Sequence, residues 1–440
     1  MRAGVSAAPP PAVAGLHSDA RRARASEGSV DGKRTAWLVG VMATAHLAAA
    51  PPACALRLAE VLARARAASP AVQVTVADLD AARGRLRQAR LLPANPVISA
   101  DLARHTAPGE DTKDRGVQLE QEIEVGGQRG LRIAAAGHDV ARADYLLADR
   151  RRTVEGEVRR AFFGLAAADR RQGLAAERLA LAARLAEAAR RRARAGEVGA
   201  LDVRLAELET ARAEQERTAA DTERARAAAR LAVAIGAPPD EPLTAEADEQ
   251  PGVPGGAEQS FVARALAARP DLAAAREERA RLEAEAAFIR RRGLVPNPVL
   301  RGFYREEQLE EHIVGGGVSV PLPIWNREQG TEAALLAQAS GAAVEAARLE
   351  AAIPREVHLA LVRRAAAAEA WRRYEEVALP AARSARELLE RGYDGGYLSL
   401  PDLLLQQDRL LQTRAAAIDA WRDLREAEAD VIEAVAETSP

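Results

Sequence analysis

The chain has a single cysteine, Cys54, in 440 residues, so no disulfide can form within it. Aromatic residues make up only 3% of the sequence, which is too few for a thick globular core and better suited to long helices rich in Ala, Arg, Leu and Glu. No excess of one charge exists either: 62 basic residues are interspersed with 64 acidic ones. No field therefore draws nucleic acid, no nucleic-acid-binding motif occurs, and Arg150-Arg151-Arg152 and Arg190-Arg191-Arg192 read as solvated helix faces. Beyond the first 55 residues there is no run of about 18 apolar residues, which excludes transmembrane helices. Any passage into a membrane would have to be made by β-strands. His105, His138, His312 and His358 are scattered, with no His or Cys pair at ligand spacing, and no Ser-His-Asp set or phosphate loop is found. No catalytic residue, metal site or cofactor is expected.

What the chain does contain is a copy of itself. Arg90-Leu-Leu-Pro-Ala-Asn-Pro-Val-Ile98 returns about 200 residues later as Gly293-Leu-Val-Pro-Asn-Pro-Val-Leu300. Gly130 matches Gly330, Glu157-Val158 matches Glu356-Val357, and Gly196-x5-Asp202-Val203 matches Gly396-x5-Asp402-Leu403. Each copy far exceeds the roughly 20–50 residues of a solenoid unit, so it holds several elements. The expected division is a leader over 1–55, a first repeat over 56–236, a linker over 237–257 rich in proline and acids, and a second repeat over 258–437. In the leader, Lys33-Arg34 precede the apolar run from Thr35 to Ala50, and Ala53-Cys54-Ala55 offers a small-residue cleavage site. Lipidation of Cys54 is the alternative reading.

Within each repeat the same elements recur. Leu56 to Leu92 reads as helix broken at Ser69-Pro70, and Pro93 to Pro96 stops it. Val97 to His105 and Val117 to Val125 read as a hairpin, joined by a loop from Thr106 to Asp114. In its second strand Val117, Leu119, Ile123 and Val125 alternate with Gln118, Glu120, Glu122 and Glu124, an apolar face opposed to an acidic one that only Gln121 interrupts. Gln128 to about Arg194 lacks proline and reads as one helix of roughly 67 residues, near 100 Å long. A break at 195–199 and a helix from Leu201 to Ile235 follow. The second repeat offers a helix over 261–292, strands over 297–304 and 312–320 around a turn at 306–311, and a long helix over 327–391 with kinks expected at Pro354 and Pro380. The last helix, Leu400 to about Ala436, carries Leu403, Leu410, Ala417, Leu424 and Val431 at intervals of seven, the signature of a left-handed coiled-coil pair.

Four strands cannot close a membrane barrel, whose smallest form has about eight, and open strand edges in lipid leave backbone groups unpaired. Several copies must therefore combine; eight strands from two chains and twelve from three are both compatible with the periodicity.

The order of these features resembles the TolC family of outer-membrane efflux channels. The resemblance rests on the leader, the duplicated proline-asparagine entry to each hairpin, Gln121-Glu-Ile-Glu-Val-Gly-Gly-Gln-Arg129, Val320-Pro-Leu-Pro-Ile-Trp-Asn-Arg327 and the twin G-x5-D tracts, and it covers Leu56 to Glu437. The first tract resembles most the heavy-metal cation (CzcC- or CusC-like) branch. The resemblance implies a mainly α fold with β-barrel strands: a homotrimer whose twelve-stranded barrel lies in outer-membrane lipid of a Gram-negative bacterium and continues into a periplasmic α-barrel tunnel. It implies a passive, non-enzymatic duct joined to a periplasmic adaptor protein and an inner-membrane transporter of the RND type. Drug efflux, type I secretion and a non-transporting periplasmic coiled-coil scaffold are the alternatives.

Residue by residue, the resemblance implies that Val117, Leu119, Ile123 and Val125 face lipid while Glu120, Glu122 and Glu124 face the lumen. Asp402 matches an aspartate lining the closed periplasmic gate, and Asp202 one that forms a holding bond, with Tyr393 as a possible partner. Gly196, Val198, Gly199, Gly396, Leu398 and Ser399 fall at the tip where an adaptor docks. Leu398 and Leu405 depart from the pattern, which has an arginine and a second aspartate there, so the same full network cannot hold this gate. Helix capping is the competing role for Asp202 and Asp402.

Overall fold

The structure, a computed structural model, describes residues 54–108, 110–238, 241–247, 255–307 and 311–436. The expected leader lies outside the described residues except for its last two positions. Those two, with Leu56, form strand β1 (Cys54–Leu56), which pairs in parallel with β4 (Leu243–Ala245) of the inter-repeat linker. Strand β1 thus takes in the last two residues of the expected leader, and the linker contains a strand. Ladder pairing of this kind uses backbone groups alone, so composition gave no sign of it. Asp169 and Arg224 anchor the pair, with the Asp169 carboxylate accepting from the Arg224 guanidinium at 2.7 Å and from the Ala245 amide at 3.3 Å.

In the first repeat α1 (Leu58–Ala68) and α2 (Pro70–Ala89) are split at Ser69 because Pro70 opens the second helix. The hairpin β2 (Val97–Ala107) and β3 (Glu110–Glu122) follows, its strands reaching further into the expected loop than the sequence suggested. Helix α3 spans Gln128–Arg194, 67 residues or about 100 Å, and α4 spans Ala200–Ile235. The second repeat departs from expectation in three places. Its first helix is two, α5 (Glu258–Ala268) and α6 (Pro270–Leu294), because Arg269-Pro270 repeats the break at Ser69-Pro70. Its strands are β5 (Val299–Glu307) and β6 (Glu311–Ser319), shifted from 297–304 and 312–320. Its long helix is not continuous: α7 (Gln329–Arg373) carries Pro354 internally, then passes through one π-helical turn (Tyr374–Ala378) into α8 (Leu379–Asp394). Pro380 has no amide to give to the carbonyl four residues back, and at this point the ladder shifts so that the Leu379 amide donates to Tyr374, five residues back. Helix α9 (Leu400–Val435) closes the chain.

Side by side, the helices form a wall. Near the sheet the order is α2, α3, α6, α7, and at the far end it is α4, α3, α9, then α7 continued by α8. Helix α3 runs the whole height and touches the shorter helices in turn. Of the heptad on α9, Leu403, Ala417, Leu424 and Val431 are buried, as a coiled-coil seam requires. Three apolar clusters hold the wall. The largest, around Phe162, Leu165 and Leu231, joins α1, α2, α3 and α4 to the linker strand; the second, around Phe261, Ile353 and Val431, joins α5, α7 and α9; the third lies at the tip.

Candidate functional site: the two-faced sheet and the helix tip

The four strands form one sheet in the order β2-β3-β5-β6, all neighbours antiparallel. The register fixes which side chains share a face, because directly opposed residues point the same way. Leu119 pairs with Ile98 and Gly302, Val117 with Ala100 and Tyr304, and Tyr304 with Val314. These residues, with Leu102, Leu300 and Val318, make one apolar face, and it is open: Leu102 is 83% and Val314 80% exposed. The opposite face carries Glu120 against Arg301 and Gln118 against Ser99 and Phe303. A face of isolated apolar side chains on a sheet with a polar reverse is the alternation of a lipid-facing strand set. Tyr304 stands toward one end of the apolar band, bonded to His312 Nδ1 at 2.9 Å, and Trp325, 85% exposed, follows β6 at the other.

Strand β3 ends at Glu122, earlier than the alternation suggested, so Ile123, Glu124 and Val125 lie beyond it. Only Val117 and Leu119 of the four residues expected to face lipid are in the strand. Glu124 does not project into open space: its side chain is 6% exposed and clamped by Arg132 of α3 at 2.6 and 3.1 Å. The same guanidinium donates to the carbonyls of Ala89 and Leu91 at the end of α2. A strongly bound local partner took this residue out of the alternation, which sequence period alone cannot reveal. Glu120 and Glu122 remain on the polar face, with Glu122 accepting from Asn297 at 2.7 Å.

Two glutamines fix the turn from sheet to helix, one in each repeat. Gln128 accepts from the Gly126 amide at 2.7 Å and donates to the Val295 carbonyl at 2.6 Å; Gln329 accepts from the Arg327 amide at 2.7 Å. Both stand at the first position of a long helix, so the repeat offset could have identified them. At Gly293 the chain passes so close to the Arg327 carbonyl that a Cβ would sit 2.0 Å from it.

At the other end the turns α3–α4 and α8–α9 are built alike. Gly196 and Gly396 both adopt positive φ, and the amides of Glu197 and Tyr397 donate five residues back to the carbonyls of Arg192 and Gly392, each at 2.9 Å. Val198 and Leu398 come next, half-buried, and Leu398 packs on Gly392. Gly199 and Ser399 are the N-caps of α4 and α9. The two tips meet in a cluster of Leu185, Ala189, Ala206, Tyr393, Leu400 and Leu403.

The outer membrane efflux protein family model matches residues 61–237, the first repeat almost in full. The cobalt-zinc-cadmium resistance protein CzcC of Cupriavidus metallidurans is 28% identical over 339 residues, covering 77% of this chain and 79% of that protein. Among solved structures, the Campylobacter jejuni CmeC outer membrane channel superposes with a TM-score of 0.72 at 17% identity over 86% of this chain and 85% of that one. CusC gives a TM-score of 0.71 at 14% identity over 86% and 91%. The first repeat matches the outer membrane efflux protein family, and the chain as a whole shares the fold of these channels. The shared fold spans both repeats.

The expected gate residues lie in the two tips that meet in the third apolar cluster, but they do not form the expected bond. Tyr393 is 8% exposed and lies beneath Arg192, whose guanidinium is 4.8 Å from the ring centre. No hydrogen bond joins it to Asp202 among the described residues. Asp402 is engaged locally: the Ser399 hydroxyl donates to its carboxylate at 2.6 Å and accepts from its amide at 3.3 Å, a capping arrangement at the start of α9. Asp202 has a glycine, Gly199, at the matching cap position, so its half-buried carboxylate lacks that partner. The repeats therefore place two aspartates in equivalent first turns and tie down only one.

Proposed function

We propose that the chain is one subunit of a homotrimeric outer-membrane duct in a tripartite pump that exports heavy-metal cations. The observation that carries this reading is an incomplete enclosure. Each copy offers four strands with unpaired outer edges on β2 and β6 and a wall four helices wide. Three copies supply twelve strands, and pairing β6 of one copy to β2 of the next removes every edge that lipid would otherwise leave unsatisfied. Exposed apolar residues follow the free edges of the wall, with Leu201, Leu208 and Val233 on α4 and Val344, Val362 and Leu388 on α7 and α8. Copies joined along these edges bury them.

In that assembly the apolar face around Leu119 and Val314 meets outer-membrane lipid, and Glu120 and Glu122 line the lumen. The helix wall reaches into the periplasm. Asp202 and Asp402 ring the narrow tip, where three copies of a carboxylate favour cations and repel one another. Gly196, Val198, Gly199, Gly396, Leu398 and Ser399 present the turns to a periplasmic adaptor, which couples the duct to a proton-driven inner-membrane transporter of the RND type. Likeness to CzcC, a protein named for cobalt, zinc and cadmium resistance, supports metal cations as cargo.

Cysteines placed at β2 and β6 edge positions, such as Ala100 and Gly316, test the assembly: cross-linked trimers in membranes support it, and cross-linked dimers or uncross-linked monomers reject it. Deletion of the gene tests the cargo. Loss of tolerance to zinc, cobalt or cadmium supports metal export, whereas unchanged metal tolerance with new sensitivity to dyes and detergents moves the cargo to drugs.

A further inference from the structure

A cavity of about 570 Å³ lies between α3, α8 and α9, half enclosed, with Ala247 of the linker at its margin. It opens where the π turn and Pro380 interrupt the long second-repeat helix, and residues on both sides of that interruption, Trp371 before it and Leu379, Ala382 and Arg383 after it, form one wall. Local π turns often accompany binding sites because they widen a helix at the expense of its regular ladder. Leu410, the one heptad position of α9 that is not buried, lines the cavity instead of a seam.

The lining has two chemistries. Leu174, Leu181, Leu379, Leu411, Ile418 and the two indoles Trp371 and Trp421 make an apolar trough. Around it stand five arginines. Three are neutralised: Arg178 by Glu209, Glu216 and Asp408, Arg386 by Glu390, and Arg414 by Glu177. The other two, Arg170 and Arg383, form no ion pair with any described carboxylate. Arg170 lies over the Trp421 ring at 3.5 Å. Gln407, only 8% exposed, also lines the cavity and has no hydrogen-bond partner among the described residues. Its amide group is open to solvent and free to bond an occupant of the cavity.

We infer that this cavity binds an amphiphilic anion, a single alkyl or acyl chain carrying a carboxylate or phosphate head. The chain lies along the leucines and the indoles, and the head takes hydrogen bonds from Arg383, Arg170 and the Gln407 amide. The volume falls in the range of sites that enclose one small organic ligand. Arg170 and Arg383, neither of them in an ion pair with a described carboxylate, favour an anionic head over a neutral one by direct charge attraction.

The full chain in nanodiscs of zwitterionic lipid provides the test. Trp37→Phe and Trp325→Phe leave Trp371 and Trp421 as the only indoles of the four in the sequence. Dibrominated dodecanoate should quench their fluorescence saturably, and brominated dodecanol should bind at least about tenfold more weakly, the size of one charge-assisted hydrogen bond. Arg383→Gln, at an exposed position, should weaken dodecanoate by a similar factor, and Ala382→Phe should abolish saturation by filling the trough. Displacement by dodecyl phosphate relative to dodecanoate identifies the preferred head. Equal quenching by the acid and the alcohol, indifference to both variants, or displacement by inorganic phosphate as effective as by dodecyl phosphate overturns the proposal.

Discussion

An arginine placed at Leu119 and another at Gln118 differ by one residue along β3 and by the whole sheet in space. Leu119 sits on the apolar face, 49% exposed, opposite Ile98 and Gly302; Gln118 sits on the polar face opposite Ser99 and Phe303. Arg115, the next charged residue outward on the Leu119 face, is four positions away, about 14 Å along the strand. An arginine at 119 therefore cannot lift its guanidinium clear of the apolar band. In the proposed trimer, burying that charge near the bilayer midplane would cost about 2–4 kcal/mol per strand, and three copies would raise the cost to roughly 6–12 kcal/mol per particle. Gln118→Arg puts the same charge in water beside Glu120 and costs about 0–1 kcal/mol. Urea unfolding in lipid vesicles, read from heat-modified gel mobility, should show Leu119→Arg failing to assemble or unfolding at much lower urea, with Gln118→Arg close to wild type. Equal losses, or the reverse order, would refute the assignment of the two faces and with it the membrane placement of the sheet.

Arg132→Ala removes the clamp on Glu124 and leaves the Ala89 and Leu91 carbonyls without this donor. A loss of about 3 kcal/mol is expected in thermal unfolding, partly restored when Glu124→Gln removes the stranded charge; full stability in the single variant contradicts the clamp. Burial alone would push the Asp271 carboxyl up, but the Arg269 guanidinium bonded to it holds it below its ordinary value. Its contribution is present above about pH 4 and drains away as pH falls through the lowered value. Asp271→Asn should flatten that part of the acid limb in urea titrations, and an unchanged slope would remove the pair from the acid response. Asp402→Ala should raise resting conductance in planar bilayers if the tip is a gate, while unchanged single-channel current leaves Asp402 only its capping role beside Ser399.

Much of the architecture was legible because it rests on local signals. The absence of proline from 128 to 194 gave α3 its limits, and the glycines at 196 and 396 gave both tips. The break at Ser69-Pro70 was read, yet the same break at Arg269-Pro270 was passed over inside a helix-rich run, although the repeat offset pointed to it. Period two identified β3 but overran it, since the strand ends at Glu122 and only the Ile123 amide still reaches across, to the Pro298 carbonyl, while the alternation runs on to Val125. Of the site residues, Asp202, Tyr393 and Asp402 lie beside the two glycine turns, and their bonds were not legible. Ser399 captures Asp402 and Arg192 covers Tyr393 through contacts that depend on side-chain direction rather than spacing.

Taken alone, the sequence determined two like halves, each with helices on either side of a hairpin. Periodicity and proline placement act over a few residues, and duplication carries them across the chain. Tertiary structure decided which strands are neighbours, with β3 beside β5, and so which residues make the apolar face. It alone joined the linker to Cys54–Leu56 and opened a cavity beside the π turn. These are meetings of residues far apart in sequence, set by packing and backbone pairing, for which no local pattern exists to be read.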